Sequence, residues 1–278
     1  MKRLGIAWAL TMGLAAAMPA GEAGAQQPSI LVQSTTSTAN SGLYEYLLPI
    51  FTQATGIKVN VVAVGTGQAI RNARNCDGDV LLVHARPAEE QFVADGYGVA
   101  RFDLMYNDYV IVGPDDDPAA IAGGTDAAKA LAAIAASKAG FASRGDDSGT
   151  HQKELELWRR AGIDPTTGSG DWYRATGSGM GATLNIGIGM GAYVLTDRAT
   201  WASFRNKGDF RIMVEGDRAL FNQYGVTLVS ADRCPNVRIA AGQRFVDWLV
   251  SDAGQQAIAA FRVDGEQLFF PNARDGSM

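Results

Sequence analysis

Three helices of this sequence are predicted to begin in turns that are rich in hydroxyl groups and glycine. The first turn, residues 34–38, is a run of five hydroxyl residues between an apolar strand and a helical pattern. The second, residues 65–67, reads Gly-Thr-Gly and also lies between a strand and a helix. The third, residues 143–150, contains Arg144 and precedes an amphipathic helix. The first turn of a helix carries unpaired N–H groups and the positive end of the helix dipole, so each turn is a candidate anion site.

Each of these turns also has a purely structural interpretation. Serine and threonine commonly cap helices, and Arg144 could be a solvated surface residue. One or two hydroxyl groups are enough for a cap, so five in a row at residues 34–38 indicate a further role. The glycines at 65 and 67 allow a backbone to approach a ligand closely, but the Gly-Lys-Ser/Thr of a phosphate-binding P-loop does not follow.

Apolar, β-branched segments alternate with helical patterns along the chain, which predicts an α/β fold with a largely parallel sheet. Predicted strands include 29–33, 57–64, 79–83, 105–113, 192–195, 210–215 and 220–230, and predicted helices include 43–54, 68–75, 89–95, 125–136, 240–250 and 253–261. The long β-rich segments at 105–113 and 220–230 are suited to connect two lobes.

The first 25 residues predict a secretory signal peptide. They comprise a charged start, an apolar run that is too short for a comfortable membrane span, and the small residues Ala23-Gly24-Ala25. No cysteine directly follows the predicted cleavage site, so we expect an exported, unlipidated protein of the periplasm. Removing 25 of the 278 residues leaves 253, enough for one large or two small domains.

Composition disfavours several classes of function. The formal net charge is −5, which is a poor match for nucleic acid or an anionic membrane. Local dipoles can still bind an anion. With only two histidines and no HExxH or CxxC motif, we expect no metal site and no cofactor. The glycines at 177–181 follow no hydrophobic strand, so they favour a glycine-rich helix start facing a cleft over a dinucleotide site.

Six motifs, in this order along the chain, resemble those of a known family. They are Ser34-Thr-Thr-Ser37, Val64-Gly-Thr-Gly-Gln68, Asp79-Val-Leu-Leu-Val-His-Ala85, Tyr106-Asn-Asp-Tyr-Val-Ile-Val-Gly-Pro114, Ser143-Arg-Gly-Asp-Asp-Ser-Gly-Thr-His151 and Gly179-Met-Gly-Ala-Thr-Leu184. Together they are similar to the substrate-binding protein of the ABC-type tungstate transporter, over nearly all of the chain after residue 25. The family's first motif begins with threonine, and Ser34 preserves that hydroxyl.

The resemblance implies a type II periplasmic binding protein fold, in which two α/β lobes are joined by two crossing strands. Lobe one would comprise residues 26–108 and 219–278, and lobe two residues 109–218. The implied function is to bind tungstate and deliver it to the membrane permease of an ABC importer, as a monomer without catalytic residues. The implied ligand contacts are Thr35, Thr36, Ser37, Thr66, Gly67, Arg144, Ser148 and Thr150.

The chemistry of these side chains suits a proton-free oxyanion. Tungstate near neutral pH only accepts hydrogen bonds, and hydroxyls, amides and Arg144 can all donate them. Hydrogen phosphate carries a proton and needs an acceptor, for which Asp146 or Asp147 is near enough in sequence. We favour the structural interpretation of these two aspartates, as an N-cap or a partner of Arg144. Molybdate and sulfate remain alternative ligands, because both are also proton-free.

Two further classes of function are open. A periplasmic hydrolase could use Ser34 or Ser37 as nucleophile and His84 or His151 as base, but the sequence lacks Gly-x-Ser-x-Gly and a clear carboxylate to orient the base. A sensor that presents its ligand-bound form to a membrane receptor would have the same binding site.

The two cysteines, Cys76 and Cys234, are expected to pair in an oxidising compartment, with two buried thiols as the alternative. In the fold that the resemblance implies, the returning strand at 220–230 lies antiparallel to its neighbour, which we take to be 79–83. One cysteine precedes the first of these strands and the other follows the second, so both would lie at the same edge of the sheet.

Overall fold

The computed structural model describes residues 27–273. The predicted signal peptide, residues 1–25, lies outside the described residues. Within the described part, no helix is both long enough and apolar enough to cross a membrane.

Strands and helices alternate along the chain. The strands are β1 Ser29–Thr35, β2 Lys58–Val64, β3 Val80–Val83, β4 Gly98–Pro114, β5 Phe141–Ser143, β6 Tyr173–Ala175, β7 Val194–Asp197, β8 Phe210–Val214, β9 Phe221–Val229, β10 Arg262–Val263, β11 Glu266–Gln267 and β12 Phe270–Pro271. The helices are α1 Thr36–Asn40, α2 Leu43–Thr55, α3 Thr66–Arg74, α4 Arg86–Ala94, α5 Ala127–Ser137, α6 Gly149–Arg160, α7 Met180–Met190, α8 Arg198–Ser203, α9 Ile239–Val250 and α10 Asp252–Ala260, with 3-10 turns at Pro165–Gly168 and Arg218–Leu220.

The first sheet has the strand order β12-β4-β9-β3-β1-β2. Strand β1 is parallel to both β2 and β3, whereas β9 is antiparallel to β3 and to β4. The prediction of a largely parallel sheet is therefore correct only for β2-β1-β3. Strand β9 is antiparallel to both of its neighbours because it comes back from the second lobe and inserts between β3 and β4, and β12 is also antiparallel to β4.

Strand β4 belongs to two sheets. Its residues from Gly98 to Asp108 pair with β9, and those from Tyr109 to Pro114 pair with β7 and β8. The sequence predicted a strand only from 105, so the strand is longer than expected at its beginning. The chain returns through the turn at Arg218–Leu220, and β9 starts with Phe221 opposite Asp108. The chain thus crosses between the lobes twice, within β4 and at the start of β9, and the two crossings lie side by side.

Each lobe has its own hydrophobic core. In lobe one, Phe51 and Phe245 meet edge to face with their ring centroids 4.9 Å apart. In lobe two, Phe141 and Trp158 meet the same way at 5.2 Å. Edge-to-face contact is the favourable geometry for buried aromatic rings.

The helix starts differ from the sequence prediction in two details. The predicted helix 43–54 is α2, but the hydroxyl run itself already forms part of a separate short helix, α1, and Gly42 with its left-handed φ of 80° separates the two. The N-cap of α6 is Ser148, whose hydroxyl oxygen accepts from the His151 amide at 3.2 Å. Neither Asp146 nor Asp147 is the cap, so of the two interpretations that we favoured for them, N-capping is wrong.

The predicted disulfide is present. Cys76 and Cys234 are bonded, with their Cα atoms 5.2 Å apart. Strand β3 lies antiparallel to β9, with Val80 opposite Leu228, so the predicted neighbour of the returning strand is confirmed. The bond ties the segment after β9 to the segment before β3.

Removing this bond should lower the stability of the protein. It joins residues 158 apart in sequence, so it restricts the unfolded chain strongly, by roughly 4–5 kcal/mol in the loop-entropy model. Urea unfolding of the Cys76→Ala/Cys234→Ala protein should show a clearly lower midpoint than the oxidised wild type. Reduced wild type is the control and should behave like the double variant, and equal midpoints for all three would contradict the prediction.

Candidate functional site

Helix starts from both lobes meet in the cleft between them. The Gly149 amide at the start of α6 donates to the Thr66 hydroxyl at the start of α3, at 3.1 Å. At the neighbouring Gly67, a Cβ atom would lie 3.2 Å from the Asp147 carboxylate of the facing loop. Gly179, the N-cap of α7, faces the Thr36 hydroxyl, which would lie 4.0 Å from a Cβ at that position. The predicted glycine-rich helix start does face the cleft.

The hydroxyl run continues β1 directly into α1. Thr35 caps that helix, and its Oγ1 accepts from the Thr38 amide at 3.4 Å and lies 3.2 Å from the Ser37 hydroxyl. The Ser37 hydroxyl also lies 3.1 Å from His84 Nε2. Thr36 Oγ1 is buried and has no hydrogen-bond partner among residues 27–273. The strand-to-helix turn predicted from the sequence is therefore confirmed.

Arg144 is the cation of the cleft and is only 3% exposed. Its Nη2 lies 2.5 Å from Asp146 Oδ2, so the predicted pairing of Arg144 with an aspartate is confirmed for Asp146. The Nε atom of Arg144 is buried, and the described part of the chain offers it no hydrogen-bond partner. The same is true of the Thr150 hydroxyl in the first turn of α6. The Ser148 hydroxyl accepts a bond as a cap, and its proton remains available.

This cleft can supply hydrogen-bond donors to a ligand. Buried polar atoms nearly always have a partner, and leaving one without costs about 1–3 kcal/mol. Thr36, Arg144 and Thr150 each carry one such atom, and all three were predicted as ligand contacts. Of the two aspartates in the facing loop, Asp146 is held by Arg144 and by the Ser148 amide at 3.2 Å, and Asp147 accepts from the Gln152 side chain at 3.3 Å. The arrangement fits a ligand that accepts hydrogen bonds and donates none.

The sequence suggested His84 only as a base for a hydrolase, yet it lies at the centre of the site. Its Nδ1 is 3.1 Å from both the Tyr109 hydroxyl and Asn222 Oδ1, and Nε2 contacts Ser37. Burial and, to a smaller extent, the nearby Arg144 guanidinium together lower the pKa of His84 to about 4, against the opposing effect of the hydrogen bond to Asn222. The one feature of the sequence that could have indicated a role for His84 in the site is its position directly after a buried strand.

Ser34 serves the fold and does not face the cleft. Its hydroxyl donates to the Leu82 carbonyl at 2.7 Å and contacts the Tyr44 hydroxyl, which joins β1 to β3 and α2. It is therefore unavailable as a nucleophile. His151, the other candidate base, accepts from the Asp147 amide through Nδ1 at 3.1 Å. In the range 27–273, no three His, Cys, Asp or Glu side chains are grouped to hold a metal ion.

Comparisons with known proteins identify the family. A family model described as "PBP superfamily domain" matches residues 20–253. The tungstate-binding protein TupA of Peptoclostridium acidaminophilum is 45% identical over 274 residues, which cover 96% of this chain and 95% of that protein. This chain belongs to the TupA family. The predicted resemblance is thereby confirmed.

Solved structures of relatives support the same conclusion. The tungstate-binding protein TupA from Desulfovibrio alaskensis G20 is 46% identical, with a TM-score of 0.75, over 89% of this chain and all of that one. The tungstate ABC transporter structure from Geobacter sulfurreducens is 45% identical, with a TM-score of 0.77, over 84% of this chain and 98% of that one. The predicted type II periplasmic binding protein fold is confirmed.

Proposed function

We propose that this protein binds tungstate between its two lobes and delivers it to the membrane permease of an ABC importer. The observation that carries the proposal is the set of buried donors on Thr36, Arg144 and Thr150, which have no partner among the described residues, in a chain of the TupA family. The proposal includes a monomer in the periplasm with no cofactor, and lobes that comprise residues 26–108 with 219–278 and residues 109–218.

The proposed ligand contacts are those predicted from the sequence. Thr35, Thr36 and Ser37 would approach the anion from α1, and Thr66 and Gly67 from α3. Arg144, Ser148 and Thr150 would approach it from the loop before α6 and from its first turn. The starts of α3 and α6 add backbone N–H groups and the positive ends of their dipoles. Such a site would recognise an anion by donating hydrogen bonds to its oxygens from hydroxyl, guanidinium and backbone N–H groups.

The protonation of the ligand separates tungstate from phosphate. Hydrogen phosphate would need an acceptor for its proton, and both candidate carboxylates already accept hydrogen bonds. Asp146 accepts from Arg144 and from the Ser148 amide, and Asp147 accepts from the Gln152 side chain. Molybdate has the same charge and lacks a proton, so it remains the second candidate. Sulfate is also proton-free and would have to be excluded by its smaller size.

A hydrolase is disfavoured by the surroundings of the one Ser–His pair in the cleft. Ser37 and His84 are within hydrogen-bond distance, but Nδ1 of the histidine faces Asn222 and Tyr109, where a catalytic triad has a carboxylate. With a pKa of about 4, His84 is a weak base at neutral pH.

A thermal-shift panel tests the proposed ligand. Tungstate at about a thousandfold excess over its Kd should stabilise the protein by roughly 4 kcal/mol, or on the order of 8–16 °C in Tm for a chain of this size. Molybdate should come second, and sulfate and phosphate should do little. The assignment is wrong if phosphate gives the largest shift.

Replacing Arg144 should weaken binding strongly, because its charge-assisted bonds would act in a buried site. We expect Arg144→Ala to raise the calorimetric Kd for tungstate at least about 100-fold, and Arg144→Lys to raise it less, since lysine keeps the charge without the planar fork. The control is Arg160→Ala, an exposed arginine on α6 that pairs with Glu156. Unchanged affinity in Arg144→Ala would place the arginine outside the site.

A methyl group at Gly149 should hinder closure of the lobes. Its Cβ would lie 2.9 Å from Thr66 Oγ1 and 3.0 Å from His84 Cε1, both on the opposite lobe. Because alanine favours helices more than glycine does, the ligand-free protein should remain as stable as wild type. Tungstate affinity should fall at least about tenfold by calorimetry, since closure is coupled to binding.

Gly189→Ala is the matched control, because Gly189 is also in a helix and a Cβ there would contact nothing within 4 Å. It should bind tungstate as wild type does. If Gly149→Ala binds equally well, the contact between the lobes at this point does not contribute to binding.

A further inference from the structure

His84 contacts each of the parts that meet at the cleft. It follows β3, and its Nε2 touches Ser37 of the proposed anion site. Its Nδ1 touches Tyr109 on β4 and Asn222 on β9, the two strands at the crossing between the lobes. The ring also packs close to Gly149 of lobe two. The hydrogen bonds of His84 therefore depend on groups from both lobes.

Asn222 determines which ring nitrogen of His84 carries the proton. Its amide nitrogen donates to Asn107 Oδ1 at 2.7 Å, so the amide oxygen is the atom that faces the histidine. An amide oxygen only accepts, so a bare Nδ1 that accepted from the Tyr109 hydroxyl would face Asn222 Oδ1 at 3.1 Å with lone pair against lone pair. A hydrogen on Nδ1 removes this repulsion and can be shared by Asn222 and Tyr109, so we assign the proton of the neutral ring to Nδ1. In the neutral ring Nε2 then has a lone pair, and the Ser37 hydroxyl donates its proton to it.

This arrangement does not suit the ligand that the proposed function requires. With its proton on His84, Ser37 offers the cleft only lone pairs, which repel the oxygens of a proton-free dianion. If Ser37 turned its proton to the anion instead, Nε2 of the buried neutral ring would lose its partner. Both problems disappear when Nε2 itself carries a proton, because it then donates to Ser37 and Ser37 donates to the anion.

The charges around the cleft lead to the same conclusion. Arg144 is offset by Asp146, so this pair adds no net charge to balance a dianion. Four further carboxylates lie around His84 and the facing loop, and each already has a partner. Glu89 accepts from the Ala85 amide and pairs with Arg101, and Glu156 pairs with Lys153. Asp197 accepts from Thr200, and Asp147 accepts from the Gln152 side chain. Arg86 and Arg159 line the same cavity as His84, and burial raises the pKa of the Tyr109 and Tyr224 phenols, which stay neutral. An imidazolium at His84 would supply a missing positive charge.

We propose that His84 is a positioning residue that takes up one proton when the oxyanion binds, so that Ser37 can turn its hydroxyl toward the anion. The inference rests on the proposed function. The proton comes from solvent and bonds to Nε2, and the Ser37 proton moves its hydrogen bond from Nε2 to an oxygen of the anion. The protein thus binds the anion and a proton together.

The structure provides a path for this proton. His84, Tyr109 and Asn222 line a cavity of about 430 Å³ that lies between the lobes on the side of the crossing strands. Its other walls include the polar side chains of Gln152 and Lys153. Water in a polar cavity of this size can carry a proton to the ring without opening the anion site.

Tungstate affinity should therefore depend on pH in a defined direction. The ligand-free ring is neutral above pH 5, because its pKa is about 4. A bound dianion raises that pKa, and a group whose pKa rises on binding makes binding tighter as the pH falls. Between pH 8 and pH 6, the apparent Kd should tighten with each step down, by up to about tenfold per pH unit.

The direct test is nitrogen NMR of protein labelled with ¹⁵N-histidine, which has only two imidazole rings to assign. His151→Gln identifies the signals of His84. At pH 6.5 without ligand, His84 should show a neutral ring with its proton on Nδ1. With saturating micromolar tungstate, it should show protons on both nitrogens.

Calorimetry in buffers of different ionisation enthalpy counts the protons taken up. Wild type and the matched control His151→Gln should take up close to one proton per tungstate at pH 6, whereas His84→Gln should take up almost none and bind with little pH dependence. Binding to a His84 that stays neutral, with no proton uptake, would overturn this inference alone. If wild type does not bind tungstate at all, the proposed function fails, and the inference fails with it.

Discussion

The geometry of the molecule depends on the hydrogen bonds of one strand, β4, which is shared by two sheets. From Gly98 to Asp108 it pairs with β9, and from Tyr109 onward it pairs with the strands of the second lobe. Arg198 of α8 donates two hydrogen bonds, of 2.8 and 2.6 Å, to the carboxylate of Asp108, the last residue of β4 before the strand changes sheets. Because both ends of this extended backbone are paired, the crossing limits the directions in which the lobes can move as they close.

The cleft lies next to this crossing, and its chemistry follows from the way the helices enter it. Strand β1 and the segments before α3, α6 and α7 all lead into helix starts, where N–H groups lack partners within the helix. Hydroxyl side chains satisfy some of them, as Ser148 does for α6. Asp146 holds the Arg144 guanidinium in place through Nη2, and the Nε atom has no hydrogen-bond partner among the described residues. Recognition by such a site depends on the number and direction of its donors more than on net charge.

Local patterns were enough to predict several elements and their chemistry. The run at 34–38 begins a helix, and the glycine-rich turn at 177–181 faces the cleft. The Cys76–Cys234 bond was predicted from the expected compartment and from the fold that the resemblance implies. Periodicity failed where the backbone has no local signal, as in the short strands β5 and β6, which gain their pairing only from each other and from neighbouring segments. It also missed the break at Gly42 and the first residues of β4.

The sequence by itself determined the α/β class and the hydroxyl- and glycine-rich turns at which helices begin. Through its motifs it also suggested the residues of an oxyanion site, and that choice of residues stays a prediction. The antiparallel position of β9 beside β3 was predicted only through the resemblance, and its pairing with β4 on the other side was not predicted, since strand order depends on pairing between distant segments. Nor could the sequence reveal the environment of His84, whose partners lie 25, 47 and 138 residues away in sequence. Hydrogen-bond direction and burial at that residue are properties of the tertiary structure, because they arise only when α1, β4, β9 and α6 surround one ring.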